Sequence, residues 1–166
     1  PIRFKNNGWL GNLACGVSYE GLAWVTGAAL LSGGVVPSKP SLLLAGLYSA
    51  SAHGIMTLND FKAIEGDRQM QVRSLPVQLG AIRAAQVAAA FMLIPQVIVL
   101  VLLLTWGKPN YAAAIGALLI GQIFLLRDFL KRPIDKALFY SGFGVPLLVS
   151  GMMVAAFAVD SMGTNS

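Results

Sequence analysis

Between Ala84 and Trp106 the sequence carries no charged side chain. About 20 mainly apolar residues are what one helix needs to cross a bilayer. Four further stretches share this character: about Leu10–Leu31, Leu42–Leu58, Tyr111–Leu126 and Ser141–Val159. Hydrocarbon offers no water to backbone N–H and C=O groups, so such stretches must satisfy them internally, as helices. The expected fold is therefore all-α, a polytopic membrane helix bundle of about five transmembrane helices, with residues 1–166 as a single membrane domain. Pro37 and Pro40, then Gly107 and Pro109, mark turns between spans. Pro95 removes one backbone bond from the third span and is expected to kink it.

Composition excludes the soluble alternatives. Only 11% of residues are charged, against about 25% in soluble domains. Cys15 is the single cysteine, which leaves no internal disulfide and no thiolate metal motif. The net charge of +5 does not indicate nucleic acid, because the basic residues sit in short segments between apolar runs. Taken in order between the spans, Lys and Arg number 2, 1, 4, 1, 4 and 0. The groups of four are Lys62, Arg68, Arg73 and Arg83, then Arg127, Lys131, Arg132 and Lys136. By the positive-inside rule the N-terminal segment with Arg3 and Lys5, the 59–83 loop and the 127–140 loop are cytoplasmic, and the C-terminus is outside. Five spans give the same parity. The opening "PIRFKNNGW" has neither an initiator Met nor a leader, so it reads as the interior of a longer chain or the start of a processed one.

The second span runs into "NDFKAIEGDR", residues 59–68, with three acids and two bases in ten positions. On a continuous helix Asp60 and Asp67 share one face about 10 Å apart along the axis. They line one wall of a site for a larger ligand, or approach each other if Gly66 breaks the helix. Hard carboxylate oxygens suit Mg²⁺, which takes one or two carboxylates together with substrate phosphates. Lys62, Arg68 and Arg73 supply charge for phosphate oxygens. The competing reading is a solvated loop with local ion pairs.

Other residues carry weaker signals. Glu20 lies near the middle of the first span, where an acid is expensive; it is a functional residue or a structural acid bonded to a neighbouring helix. His53 reads as a core histidine, and Asn59 belongs to the same span. Trp9, Trp24, Trp106, Tyr111 and Tyr140 fall near span ends, as an interfacial belt requires. The small residues of "GLYSASAHG" allow close helix packing.

The stretch "GIMTLNDFKAIEGDRQMQVRSLPVQLG" resembles the second acidic motif of the intramembrane (UbiA-type) prenyltransferases, and in particular their chlorophyll and bacteriochlorophyll synthase branch. "NGWLGN", "YEGLAWVTGAA" and "GMMVAAFA" extend the likeness along nearly the whole chain. The resemblance implies a nine-helix fold of which these spans are the C-terminal portion. It implies catalysis by Asp60 and Asp67, metal binding by Asp60, Asp67 and Glu65, and substrate contacts from Asn59, Lys62, Arg68 and Arg73. The implied cofactor is Mg²⁺. The implied substrates are a geranylgeranyl or phytyl diphosphate and a (bacterio)chlorophyllide, whose propionate becomes esterified. The implied setting is a bacterial inner membrane, cytoplasmic or intracytoplasmic photosynthetic, with other photosynthetic or pigment-biosynthesis membrane proteins as partners. The sequence departs from the family pattern in three ways. The first acidic motif is absent, Ala63 stands where many relatives outside the branch have an acid, and Gln71 stands where Gly is expected. A different class of function, a non-catalytic half-length homologue that binds pigment or lipid within a photosynthetic complex, fits the same spans.

Overall fold

The computed structural model describes residues 4–163. Arg3 and the Lys5 side chain, both used above for orientation, lie outside the described residues. After a 3₁₀ turn at Phe4–Asn6, helix α1 (Gly8–Gly16) starts on Asn7, whose side chain accepts from the N–H groups of Trp9 and Leu10. That satisfies two of the donors a helix start leaves unpaired. A π-helical stretch, Val17–Gly21, joins α1 to α2 (Leu22–Leu31). The long helices are α3 (Lys39–Asp60), α6 (Ala81–Thr105), α7 (Pro109–Lys131) and α8 (Pro133–Gly163). Two short helices, α4 (Ile64–Gln69) and α5 (Leu75–Leu79), lie between α3 and α6.

The chain is a helical bundle, as expected, and among the described residues four helices are each long and apolar enough to cross a membrane. The fifth expected span, Leu10–Leu31, is helical along its length but divided at Val17–Gly21, so no single piece of it reaches that length. α6 continues through Pro95, and α8 through Pro146.

The expected 127–140 loop is not a loop. α7 carries Arg127 and Lys131 in its last turns, Arg132 alone makes the connection, and Pro133 opens α8. Lys and Arg are good helix formers whose long stems let helices outrun the apolar span. Proline at the first helical position costs no hydrogen bond, so α8 starts at once.

α3 is the central element, packed against α1, the π stretch, α6 and α8, while α7 lies against α6 and α8. The small residues of α3 permit the close approaches read from the sequence. A Cβ on Gly54 would stand 2.7 Å from the Ala88 carbonyl oxygen of α6, and one on Gly16 would stand 2.5 Å from the Ser49 carbonyl oxygen. The core is built from Leu44, Tyr48, Leu58, Met92, Val99 and Leu148. Tyr140, expected in an interfacial belt, is instead fully buried and stacks on Phe129 with ring centroids 5.4 Å apart. Its position near a predicted span end gave no warning, because α8 begins well before that span does. His53 is a core residue, as expected, stacked on Phe91 at 4.3 Å and near Trp9 at 5.9 Å.

Candidate active site

The end of α3 is fixed by a buried aromatic. Phe61 follows Asp60, is 5% exposed and meets Phe129 edge-on at 5.5 Å. The chain turns over it through short-range bonds, Phe61 N–H to Leu58 O (3.3 Å), Lys62 N–H to Asn59 O (3.2 Å) and Ala63 N–H to Asp60 O (3.1 Å). The helix therefore breaks at 61–63. Gly66 does not break it, as one sequence alternative required, but lies inside α4. The turn removes Asp60 and Asp67 from the continuous helix face that would hold them about 10 Å apart.

α4 ends in a paired hydrogen-bond pattern, Val72 N–H to Asp67 O (2.8 Å) and Gln71 N–H to Arg68 O (3.2 Å). This is a Schellman cap, and its turning residue adopts a left-handed conformation for which glycine is the usual choice. Here that residue is Gln71, at φ 56°. The expectation of glycine at this position thus has a physical basis, and the chain adopts the glycine-favoured conformation with glutamine.

Asp60 and Asp67 are half-buried, whereas Asn59, Lys62, Glu65, Arg68 and Arg73 are exposed. Asp67 and the Leu75 backbone N–H are both near enough to act electrostatically on the Asp60 carboxylate. Glu65 is engaged elsewhere, accepting from Gln69 Nε2 at 3.1 Å. Among the described residues no three or more His, Cys, Asp or Glu side chains gather into a metal-holding group. A cation here would rest on one or two carboxylates and on its ligand's own oxygens, which is the donor set Mg²⁺ takes in phosphate sites. The basic side chains at Lys62, Arg68 and Arg73 also suit a polar ligand at this place. The residues present fit the ion.

One site residue escaped the sequence reading. Asn12 of α1, 8% exposed, donates from Nδ2 to Asp60 Oδ2 (3.1 Å) and to Thr57 Oγ1 (3.2 Å). The available signal was a side-chain amide inside an apolar stretch, which must find partners there. α1 also holds the far end of the loop, because Gly8 N–H donates to Arg73 O at 2.8 Å. Glu20 is not part of this cluster. It lies in the π stretch, beside Gly21, which abuts Ser49. Ser49 is eleven residues, about 16 Å along the α3 axis, from Asp60.

A cavity of about 400 Å³ opens at the opposite end of α3, among Trp24, Ser32, Ser38, Ser41, Val159 and Asp160. Ser41 and Asp60 are about 28 Å apart along that helix. The cavity and the carboxylates are therefore separate features.

Four long apolar helices, with two half-buried carboxylates where one of them meets its connecting loop, define a polytopic membrane helix bundle with a polar site at one end. The chain belongs to the UbiA prenyltransferase family, whose model matches residues 1–143. It is 54% identical over 162 residues to the bacteriochlorophyll synthase 33 kDa chain of Cereibacter sphaeroides, covering 98% of this chain and 53% of that one. It is 45% identical to the chain of the same name from Rhodobacter capsulatus, covering 96% of this chain and 53% of the relative. To the chloroplastic chlorophyll synthase of Arabidopsis thaliana it is 43% identical, over 95% of this chain and 40% of the relative. The chain thus spans about half the length of the curated relatives it matches. No solved structure matches it. The family resemblance drawn from the Asn59–Arg68 motif is borne out.

Proposed function

We propose that the complete protein transfers a geranylgeranyl or phytyl group from its diphosphate to the propionate of a (bacterio)chlorophyllide. The observation that carries this reading is the pairing of two half-buried carboxylates, Asp60 and Asp67, at one end of an apolar bundle with Lys62, Arg68 and Arg73 exposed around them. The synthase names of the relatives supply the substrate class.

In this mechanism Asp60 and Asp67 would hold a Mg²⁺ bound together with the diphosphate. When bound, that ion neutralises the charge that develops on the leaving group. Arg68, Arg73 and Lys62 complement it as donors to the phosphate oxygens, Arg through paired N–H groups and Lys as a point charge. Asn59, exposed at the end of α3 beside Asp60, would be a further polar contact for the same ligand. Glu65, already bonded to Gln69, serves as a reserve carboxylate rather than a direct ligand. The allylic C–O bond breaks and its electron pair leaves with diphosphate. A propionate oxygen of the acceptor then forms the new C–O ester bond at the same carbon. Apolar side chains of the bundle house the prenyl tail and keep water from the electron-poor carbon. The loop bearing the two acids faces the cytoplasm of a bacterial inner or intracytoplasmic photosynthetic membrane, and the C-terminus faces the other side. The 4-to-1 excess of Lys and Arg in segment 59–83 over the segment around Lys108 supports that orientation.

The test is Asp60→Asn and Asp67→Asn in the complete polypeptide. Each is expected to lower Mg²⁺-dependent esterification by at least about 100-fold, the scale of losing an electrostatic group at a reacting centre. Membrane insertion should be unchanged. Full turnover in both variants refutes the assignment.

A further inference from the structure

Asn12 makes more than an interhelical contact, and its hydrogen-bond inventory shows why. The Thr57 hydroxyl donates its proton to the His53 carbonyl oxygen at 2.9 Å. Toward Asn12, Thr57 can therefore only accept. An ionised Asp60 carboxylate also only accepts. The two N–H groups of the Asn12 amide meet these two acceptors, Thr57 Oγ1 and Asp60 Oδ2. The direction of every bond in the chain His53, Thr57, Asn12, Asp60 is thereby fixed. Turning the Asn12 amide over would set its oxygen against two acceptors.

We propose that Asn12 is a positioning residue for the prenyl-transfer site: by donating to Oδ2 of Asp60 it holds the carboxylate plane in the orientation offered to the diphosphate-bound cation. This rests on the reading of Asp60 given above. Outer partners of metal-binding carboxylates orient them, and losing one typically costs 10–100-fold in metal affinity or activity. Asn12 meets the requirements of such a partner. It is buried, it comes from a helix 48 positions away in sequence, and it is anchored on Thr57 within α3. α1 grips the same segment a second time through Gly8 N–H and Arg73 O. One short helix thus holds both the first carboxylate of the loop and the loop's exit.

The role separates from mere helix packing by direct cation binding. The complete protein in nanodiscs is titrated with Mn²⁺ in the presence of inorganic pyrophosphate, and bound Mn²⁺ is read by electron paramagnetic resonance. Asn12→Ala is expected to weaken Mn²⁺ binding about 10-fold and to raise the Mg²⁺ concentration for half-maximal esterification in proportion. Asn12→Asp, which presents acceptors to acceptors, should weaken it further. In an Asp60→Asn background Asn12→Ala should have no additional effect on Mn²⁺ binding. Thr57→Val, which removes the anchor while leaving the donor to Asp60, should shift the affinity in the same direction by a few-fold. That variant decides the matter if Asn12→Ala fails to fold. Mn²⁺ affinity within twofold of the parent in folded Asn12→Ala, or in Thr57→Val where Asn12→Ala does not fold, overturns the proposal. If Asp60→Asn itself leaves Mn²⁺ binding unchanged, the role given to Asp60 fails. If Asp60→Asn abolishes binding and Asn12→Ala does not weaken it, only the positioning role fails.

Discussion

Two helix ends in this bundle use the same backbone device with different residues. α6 ends with Lys108 N–H on Leu103 O (2.9 Å) and Gly107 N–H on Leu104 O (3.1 Å), and Gly107 turns the chain at φ 70°. α4 ends with the equivalent pair from Val72 and Gln71, and Gln71 turns the chain at φ 56°. A left-handed residue with a Cβ costs roughly 1–2 kcal/mol that glycine avoids. Among the described residues the α6 end has no backbone bond to any helix but the adjoining α7, and a Cβ on Gly107 would meet nothing within 4 Å. The α4 end lies in the acidic loop and is clamped two residues later, where Gly8 N–H takes the Arg73 carbonyl. The turn tied to another helix only through a side chain, Lys108 Nζ to Ser161 O at 3.1 Å, keeps glycine; the turn whose backbone is held from outside tolerates glutamine. The difference teaches that the conformation of the acidic loop is imposed by α1 as well as by the loop's own sequence.

Releasing the clamp is the strongest way to break this comparison. A Cβ on Gly8 would stand 2.7 Å from the Leu75 backbone nitrogen and 3.0 Å from the Arg73 carbonyl oxygen. Backbone atoms cannot swing aside, so Gly8→Val must push α1 off the 73–75 segment. The expected cost is about 2–3 kcal/mol, the upper range for overpacking a tight contact. Amide hydrogen exchange in residues 64–73 should rise selectively, with that of α6 and α7 unchanged. Uniform protection across both regions would mean that α1 does not hold the loop.

At the other cap the expected loss is smaller and purely structural. Gly107→Val places a β-branched residue at φ 70° with open space around it, so only the backbone term is felt, about 1–2 kcal/mol. Thermal unfolding in detergent should register it. The Mg²⁺ dependence of esterification should not move, because the turn adjoins α6 and α7 at the end of the bundle away from Asp60. A shift in Mg²⁺ dependence would show that the two ends are coupled.

The sequence carried the fold further than the site. Long apolar runs fixed four of the spans, since a run such as 84–106 has no other stable arrangement in a bilayer. The division of the first span was not legible. It arises where Gly16 and Gly21 close on Ser49, contacts made across more than 25 positions of sequence. The junction at Arg132 was hidden because its basic residues serve equally as loop residues and as helix ends. Asp60 and Asp67 were legible as a carboxylate cluster terminating a span. Asn12 was not, because nothing near it in the chain indicates that its amide reaches a carboxylate 48 residues on. Local chemistry marks the candidate carboxylates, and only the packing reveals the amide bonded to one of them.

The smallest expected effect is also the sharpest test of the comparison. Gln71→Gly removes the left-handed penalty of roughly 1–2 kcal/mol and adds unfolded-state freedom worth roughly 0.5–1 kcal/mol. The variant should therefore be more stable by at most about 1.5 kcal/mol, with esterification and its Mg²⁺ dependence within about twofold of the parent. Combined with Gly8→Val it should recover part of the lost protection in residues 64–73, since an unclamped loop gains most from a residue that prefers the turn. Gln71 is exposed, so its side chain offers little packing to lose. Loss of stability in Gln71→Gly would mean that the glutamine holds the loop by a bond of its own, and the contrast with Gly107 would then rest on that side chain rather than on the grip of α1.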